Sequence, residues 1–173
     1  LHGSAALAAY GPLEVFVGES ATPRAVLRFG GGTSYLTLPA DVPLTFKLRL
    51  EQEPPAWLPR EFTFSATLAQ GHHVLSLAGV PDVLENALAA NPEGISTYLR
   101  LLEKELPVSS GKQADPQFVL VHAVTDAPAL GVFVEETNSP VTYYFPYASV
   151  TEPVSLPAGR YRLRFERNAD RAV

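Results

Sequence analysis

The feature that most constrains this chain is a stretch it carries twice. The clearer copy is FVLVHAVTDAPALGVFVEE, from Phe118 to Glu136, and a worn copy, LHGSAALAAYGPLEVFVGE, runs from Leu1 to Glu19. Leu13 to Val17 lies over Leu130 to Val134, and Leu1-His2 lies over Val121-His122. The match continues with Phe29 against Phe145 and YLTLPA (35–40) against PVSLPA (153–158). A period of about 117 residues is too long for a solenoid unit and reads as a duplicated domain. The expected division is a first repeat over 1–106, a linker over 107–117, and a second, apparently incomplete repeat over 118–173.

The punctuation inside each copy is that of an all-β protein. Sixteen prolines and twelve glycines fall between short apolar runs, as in sandwiches and barrels. LTFKLRL (44–50) alternates cleanly, with Leu44, Phe46, Leu48 and Leu50 on one face and Thr45, Lys47 and Arg49 on the other. This is the pattern of a half-buried antiparallel strand. Strands are also expected at 13–19, 24–29, 35–38, 61–69 and 72–77, with Gln70-Gly71 joining the last two as a hairpin. The second copy should supply strands at 118–123, 130–135, 141–147, near Val154, and at 160–167. Residues 96–106 have a helical composition but sit where a closing strand belongs, and the position favours the strand. One short helix is expected near 82–91, with Asp82 as N-cap and Pro92 and Gly94 as stop signals. The expected core includes Val15, Phe46, Leu48, Phe64, Val132, Leu163 and Phe165.

Composition narrows the function classes. The chain is 46% hydrophobic and 18% charged, the balance of a globular protein. Its net charge of −5 disfavours a broad attraction to nucleic acid or anionic membrane. It has no cysteine, so disulfides, zinc–thiolate sites and cysteine nucleophiles are excluded. No apolar run is long enough for a membrane span, and no stretch of these residues is expected to be a signal peptide. A chain beginning inside a strand is expected to be a processed or trimmed product.

Candidate chemistry is sparse. His122 and Asp126 could form half of a metal or acid–base site, but turn chemistry before Pro128 explains the same spacing. His72 and His73 are adjacent on a strand, so they point to opposite faces and cannot grip one metal together. Gly30-Gly31-Gly32 lacks the lysine and following helix of a phosphate loop and reads as a turn. No nucleophile elbow exists, and nothing calls for a cofactor. Arg160, Arg162 and Arg164 form a one-sided stripe without base-stacking partners, which reads as the wet face of a strand. Two aromatic features remain. Trp57 lies in the loop EQEPPAWLPR (51–60), where it suits either a binding hot spot or a lid over the core edge. Tyr143, Tyr144, Phe145 and Tyr147 put rings on both faces of one strand, so an outer ring such as Tyr144 could stack on a sugar or on a neighbouring domain.

VHAVTDAP (121–128), followed by a strand, an aromatic segment and SLPAGRYRLRF (155–165), resembles a bacterial extracellular domain of unknown function. Its signature reads roughly Val-His-Ala-Ser-Pro-Asp-Ala-Pro, and a Leu-Pro-Ala-Gly turn precedes an alternating strand. His122, Ala123, Asp126, Ala127 and Pro128 match, as do Leu156 to Gly159; Val124 and Thr125 depart from it. The first copy keeps His2 and Pro12, and Asp41 stands where Gly159 does. The resemblance implies tandem immunoglobulin-like β-sandwiches in a secreted or cell-envelope protein. It carries over no catalytic residue and leaves His2, His122, Asp126 and Pro128 with structural roles.

The expected function is that of a non-enzymatic envelope module with a structural, assembly or adhesion role. The alternative is a carbohydrate- or small-ligand-binding module using Trp57, Tyr144 and Tyr147 as contacts, with surface polysaccharide as a partner. The strands at 61–69 and 72–77 have no counterpart after Arg167. The second repeat should therefore expose an unpaired edge and part of an apolar face around Tyr161, Leu163 and Phe165. Such an edge recruits strands, which favours self-association and a head-to-tail filament.

Overall fold

The computed structural model describes residues 1–81, 91–107 and 115–168. The helix expected near 82–91 and much of the linker at 107–117 lie outside the described residues. What is described is mainly β and antiparallel, arranged as a sandwich. β1 (Leu13–Val17), β2 (Ala25–Leu27), β3 (Pro43–Leu50) and β4 (Glu61–Thr67) form one sheet in the order β2-β1-β3-β4. β5 (His72–Ala78) pairs with β6 (Arg100–Leu106) as a second layer. Leu77 of β5 packs with Leu13, Leu48 and Leu50 in one cluster. Leu75 and Leu101 pack on Leu44, Phe46 and Leu68 in another. The alternation of β3 decides its facing: Leu44, Phe46, Leu48 and Leu50 are buried, each contributing about 1.5–3 kcal/mol relative to exposure.

The chain continues through β7 (Gln117–Phe118), β8 (Val121–His122), β9 (Leu130–Val134), β10 (Ser139–Phe145), β11 (Ser149–Val150), β12 (Val154–Ser155) and β13 (Leu163–Arg167). β10-β9-β13 form a three-stranded sheet, while β8 pairs with β11 and β7 with β12. The strand expected at 118–123 is thus split in two, and residues 96–106 contain the strand β6.

The sheets built on β1 and β9 share one pairing register. Val15 faces Leu48 and Val17 faces Phe46; Val132 faces Phe165 and Val134 faces Leu163, each 117 positions further on. The flanking hydrogen bonds obey the same offset. Gly18 N–H donates to Thr45 C=O at 2.8 Å, and Glu135 N–H to Arg162 C=O at 2.9 Å. Glu51 N–H donates to Pro12 C=O at 3.1 Å, and Asn168 N–H to Ala129 C=O at 2.9 Å. β13 is therefore placed on β9 as β3 is placed on β1.

Four expectations need correction. First, β4 and β5 do not form a hairpin: β4 stays on β3, and β5 crosses to the opposite layer to pair with β6. Their apolar rows share one core, since Phe62 and Phe64 pack against the cluster that contains Leu77, which a flat hairpin would prevent. Second, residues 35–38 form no strand, and Tyr35 is 86% exposed. Their counterpart β12 pairs with Gln117–Phe118. Third, Phe165 is not core but 53% exposed, and Leu163 is only half-buried. Nothing among the described residues lies on β13 as β4 lies on β3. Fourth, Ala5–Ala8 form a short helix that the matched stretch lacks. Ten residues (3–12) separate His2 from Leu13, against seven (123–129) between His122 and Leu130, and the helix takes up the difference while burying Leu7 completely.

Candidate functional site

The signature turn is built around His122, at the end of β8 and 2% exposed. Its Nδ1 accepts the N–H of Val124 at 3.4 Å, so Nε2 carries the proton and donates to the carbonyl of Pro128 at 3.3 Å. The ring thereby closes its own loop, and it lies edge-on to Phe145 and Tyr147 at 5.4 and 6.2 Å. Both nitrogens are spent on backbone groups, which leaves none for a metal or a substrate proton. Asp126 is exposed and forms no side-chain hydrogen bond in the described structure, so it neither joins His122 in a dyad nor caps the turn. Among the described residues no three His, Cys, Asp or Glu side chains gather as a metal site.

His2 repeats this arrangement with one bond missing. Its Nδ1 accepts the N–H of Ser4 at 3.3 Å, its ring stands edge-on to Phe29 at 5.8 Å, and its Nε2 is buried without a partner. Gly30 N–H donates to His2 C=O and Ala148 N–H to His122 C=O, both at 2.8 Å, with φ of +72° and +57°. This pairing sets Phe29 against Tyr147, two positions from the match the sequence suggested. Burial of the imidazole, and then the α-ammonium of Leu1, lowers the His2 pKa from 6.5 to about 4. The two turns touch: a Cβ on Gly3 would stand 2.8 Å from the Cβ of Ala123, so only glycine allows this approach.

A clamp on the signature turn was invisible to sequence reasoning. Asn91 Nδ2 donates to the carbonyls of Thr125 and Ala127, at 3.0 and 3.2 Å. The Glu93 carboxylate accepts from the N–H of Ala129 at 3.0 Å and from the Tyr144 hydroxyl at 3.4 Å. NPEG (91–94) read only as a helix stop. Its Pro and Gly announce a turn, which forms with Gly94 at φ +69°, but no local pattern announces what the turn grips.

The aromatic candidates separate. Tyr147 is not a contact residue: it is 2% exposed against His122, its hydroxyl has no partner, and burial raises its pKa. Tyr144 is 58% exposed and Tyr143 53%. Strict alternation would bury Tyr143 with Phe145 and Tyr147. Register irregularities on either side of Thr142 break that alternation. Trp57 is 51% exposed while its neighbour Leu58, at 3%, enters the core. Leu58 therefore fastens the loop, and Trp57 is presented outward. An open groove of about 580 Å³ runs along β4 from Glu61 to Phe64, with Pro59, Pro81, Tyr98 and Leu99 as its other walls. Among the described residues its polar side chains are Glu61, Thr63 and Tyr98.

His72 and His73 point apart. His72 meets the Tyr35 ring, whereas His73 contacts Glu103 Oε1 at 2.6 Å and the Ala69 carbonyl at 2.9 Å. Burial lowers the His73 pKa, but these bonds and the charges of Glu103 and Glu105 outweigh it, and the net shift is upward. In the arginine stripe Arg160 and Arg162 are exposed. Arg164 lies over the Phe133 ring at 5.3 Å and bonds Glu166 and Asn138. No described helix is long and apolar enough to cross a membrane.

The class defined by this geometry is an antiparallel, mainly-β sandwich in which, among the described residues, β13 stands at an open sheet edge. No family model, curated protein or solved structure matches the chain.

Proposed function

We propose that the protein is a non-enzymatic structural or assembly module of the bacterial cell envelope, built from two copies of one sandwich and joined to other strands through its open sheet edge. The observation that carries this reading is β13. It occupies the place of β3, yet it has a free edge among the described residues and leaves Tyr161 at 37% and Phe165 at 53% exposure. Exposed, untwisted apolar edges are a liability that proteins cover, charge or use. The side-chain inventory supports the non-enzymatic part, since the buried histidines are committed to backbone or left unpaired. The envelope location rests on the resemblance of VHAVTDAP to extracellular domains. Polysaccharide binding through Trp57 and Tyr144 is the weaker reading, because the groove shows few polar side chains among the described residues.

Multi-angle light scattering of the 173-residue chain over a hundredfold range of concentration tests the assembly reading. Mass rising with concentration in the wild type, and not in Phe165→Asp, is the expected result. A constant monomer mass in both would contradict it.

A further inference from the structure

The N-terminal sheet shows what β13 lacks. β3 is flanked by β1 on one side and β4 on the other, and Phe46 faces Phe64 while Leu48 faces Phe62 across the second pairing. Moved by the shared offset, Phe46 becomes Leu163 and Leu48 becomes Phe165. On the solvent face Lys47 becomes Arg164 and Arg49 becomes Glu166. With β4 in place the apolar row of β3 is at most 7% exposed; without a counterpart, Phe165 is 53% exposed.

We infer that the edge of β13 left free among the described residues is an acceptor site for one antiparallel strand from a partner polypeptide, with bulky apolar side chains opposite Leu163 and Phe165. The charge pattern refines the partner. In the β3–β4 pairing Arg49 faces Glu61, and at the matching place on β13 stands Glu166. Glu166 already bonds Arg164 at 2.7 Å; a carboxylate directly opposite would set like charges face to face and compete for that arginine, whereas a cation opposite is favoured. The β4 strand of a second copy carries Glu61 at that place, so a distinct strand with Lys or Arg fits better than self-pairing in this register. Main-chain bonds along the edge supply affinity, and alternate side chains supply specificity. The inference deepens the assembly reading and rests on it for its biological sense.

The test uses the whole 173-residue chain and fluorescent peptides copying residues 59–69. One peptide has the native sequence, one carries Glu61→Lys, and one carries Ser for both Phe62 and Phe64. Anisotropy reports binding, and hydrogen exchange locates it. The expected result is saturable binding of the Glu61→Lys peptide, tighter than that of the native one, with amides 163–167 becoming protected. The serine peptide should fail to bind, and Phe165→Asp in the protein should weaken binding roughly tenfold or more. Phe165 is exposed, so that variant keeps its fold, which circular dichroism verifies. Absence of saturable binding, protection elsewhere, or indifference to Phe165→Asp would overturn the inference. The self-association expected of the chain alone should be the weaker pairing and should yield to the Glu61→Lys peptide; self-association at 163–167 that resists the peptide would overturn the inference, since a second copy would then be the occupant. A monomer that binds the peptide removes the assembly reading alone. Assembly that persists in Phe165→Asp removes both the strand-acceptor assignment and the β13 edge as the means of assembly, and leaves assembly through another surface.

Discussion

His2 and His122 show how far the same buried ring depends on one acceptor. His122 satisfies Val124 N–H and Pro128 C=O, whereas His2 satisfies Ser4 N–H and leaves its Nε2 unpaired. Replacing His122 with Phe keeps the aromatic contacts but strands two buried backbone groups, and urea titration should show a loss of about 1–3 kcal/mol. His2→Phe strands one group and removes an orphaned nitrogen, so its loss should be smaller; a loss equal to or above that of His122→Phe would refute this account. The two perturbed histidines act in opposite directions with pH. The folded-state pKa of His2, about 4, lies below its ordinary 6.5, so the unfolded chain binds protons more readily. Stability should fall as pH drops from 6.5 towards 4, and His2→Phe should flatten that limb. The pKa of His73 is raised, so its contribution is fully present below 6.5 and lost as pH climbs through the folded value. Glu103→Gln should weaken that second dependence, leaving the part due to Ala69 C=O and Glu105, and unfolding curves across pH read both.

At the scale of elements, what was legible in the sequence follows from what alternation encodes. In β3 the period-two pattern and the structure agree residue by residue, because both faces of that strand are decided by its neighbours. Tyr143 departs from strict alternation because the irregularity of β10 shifts the phase; Pro140 stands at that irregularity, but a proline in a strand marks an edge or a bulge without saying which side chain changes face. Phe165 was misjudged for a different reason: alternation reports which side chains share a face, not whether anything covers that face. The β4–β5 crossover was hidden because a short Gln-Gly connection serves equally for a hairpin and for a corner between layers. The loop at 51–60 held two residues of opposite fate, Leu58 and Trp57, that composition alone does not separate. Leu58→Ala should cost about 2–5 kcal/mol, whereas Trp57→Ala should stay within about 0.5 kcal/mol. Thermal melts of the two variants check this, and a larger loss for Trp57→Ala would mean that the tryptophan, not the leucine, holds the loop.

For the whole molecule, the shared register makes a comparison that needs no outside reference. Leu48 and Phe165 occupy the same place on equivalent strands, at 4% and 53% exposure. Leu48→Ala should lose about 2–5 kcal/mol, while Phe165→Ala in the isolated chain should lose well under half of that. The difference is the burial that a covering strand provides. The most direct measurement is hydrogen exchange on the dilute 173-residue chain, comparing amides 44–50 with amides 163–167. The account predicts slow exchange throughout β3, which is bonded on both edges. In β13 it predicts alternate slow and fast amides, bonded to β9 on one edge only, with the fast ones slowing when an added strand binds. Uniform slow exchange across 163–167 in a proven monomer would mean that the edge is already closed, and would contradict the central claim.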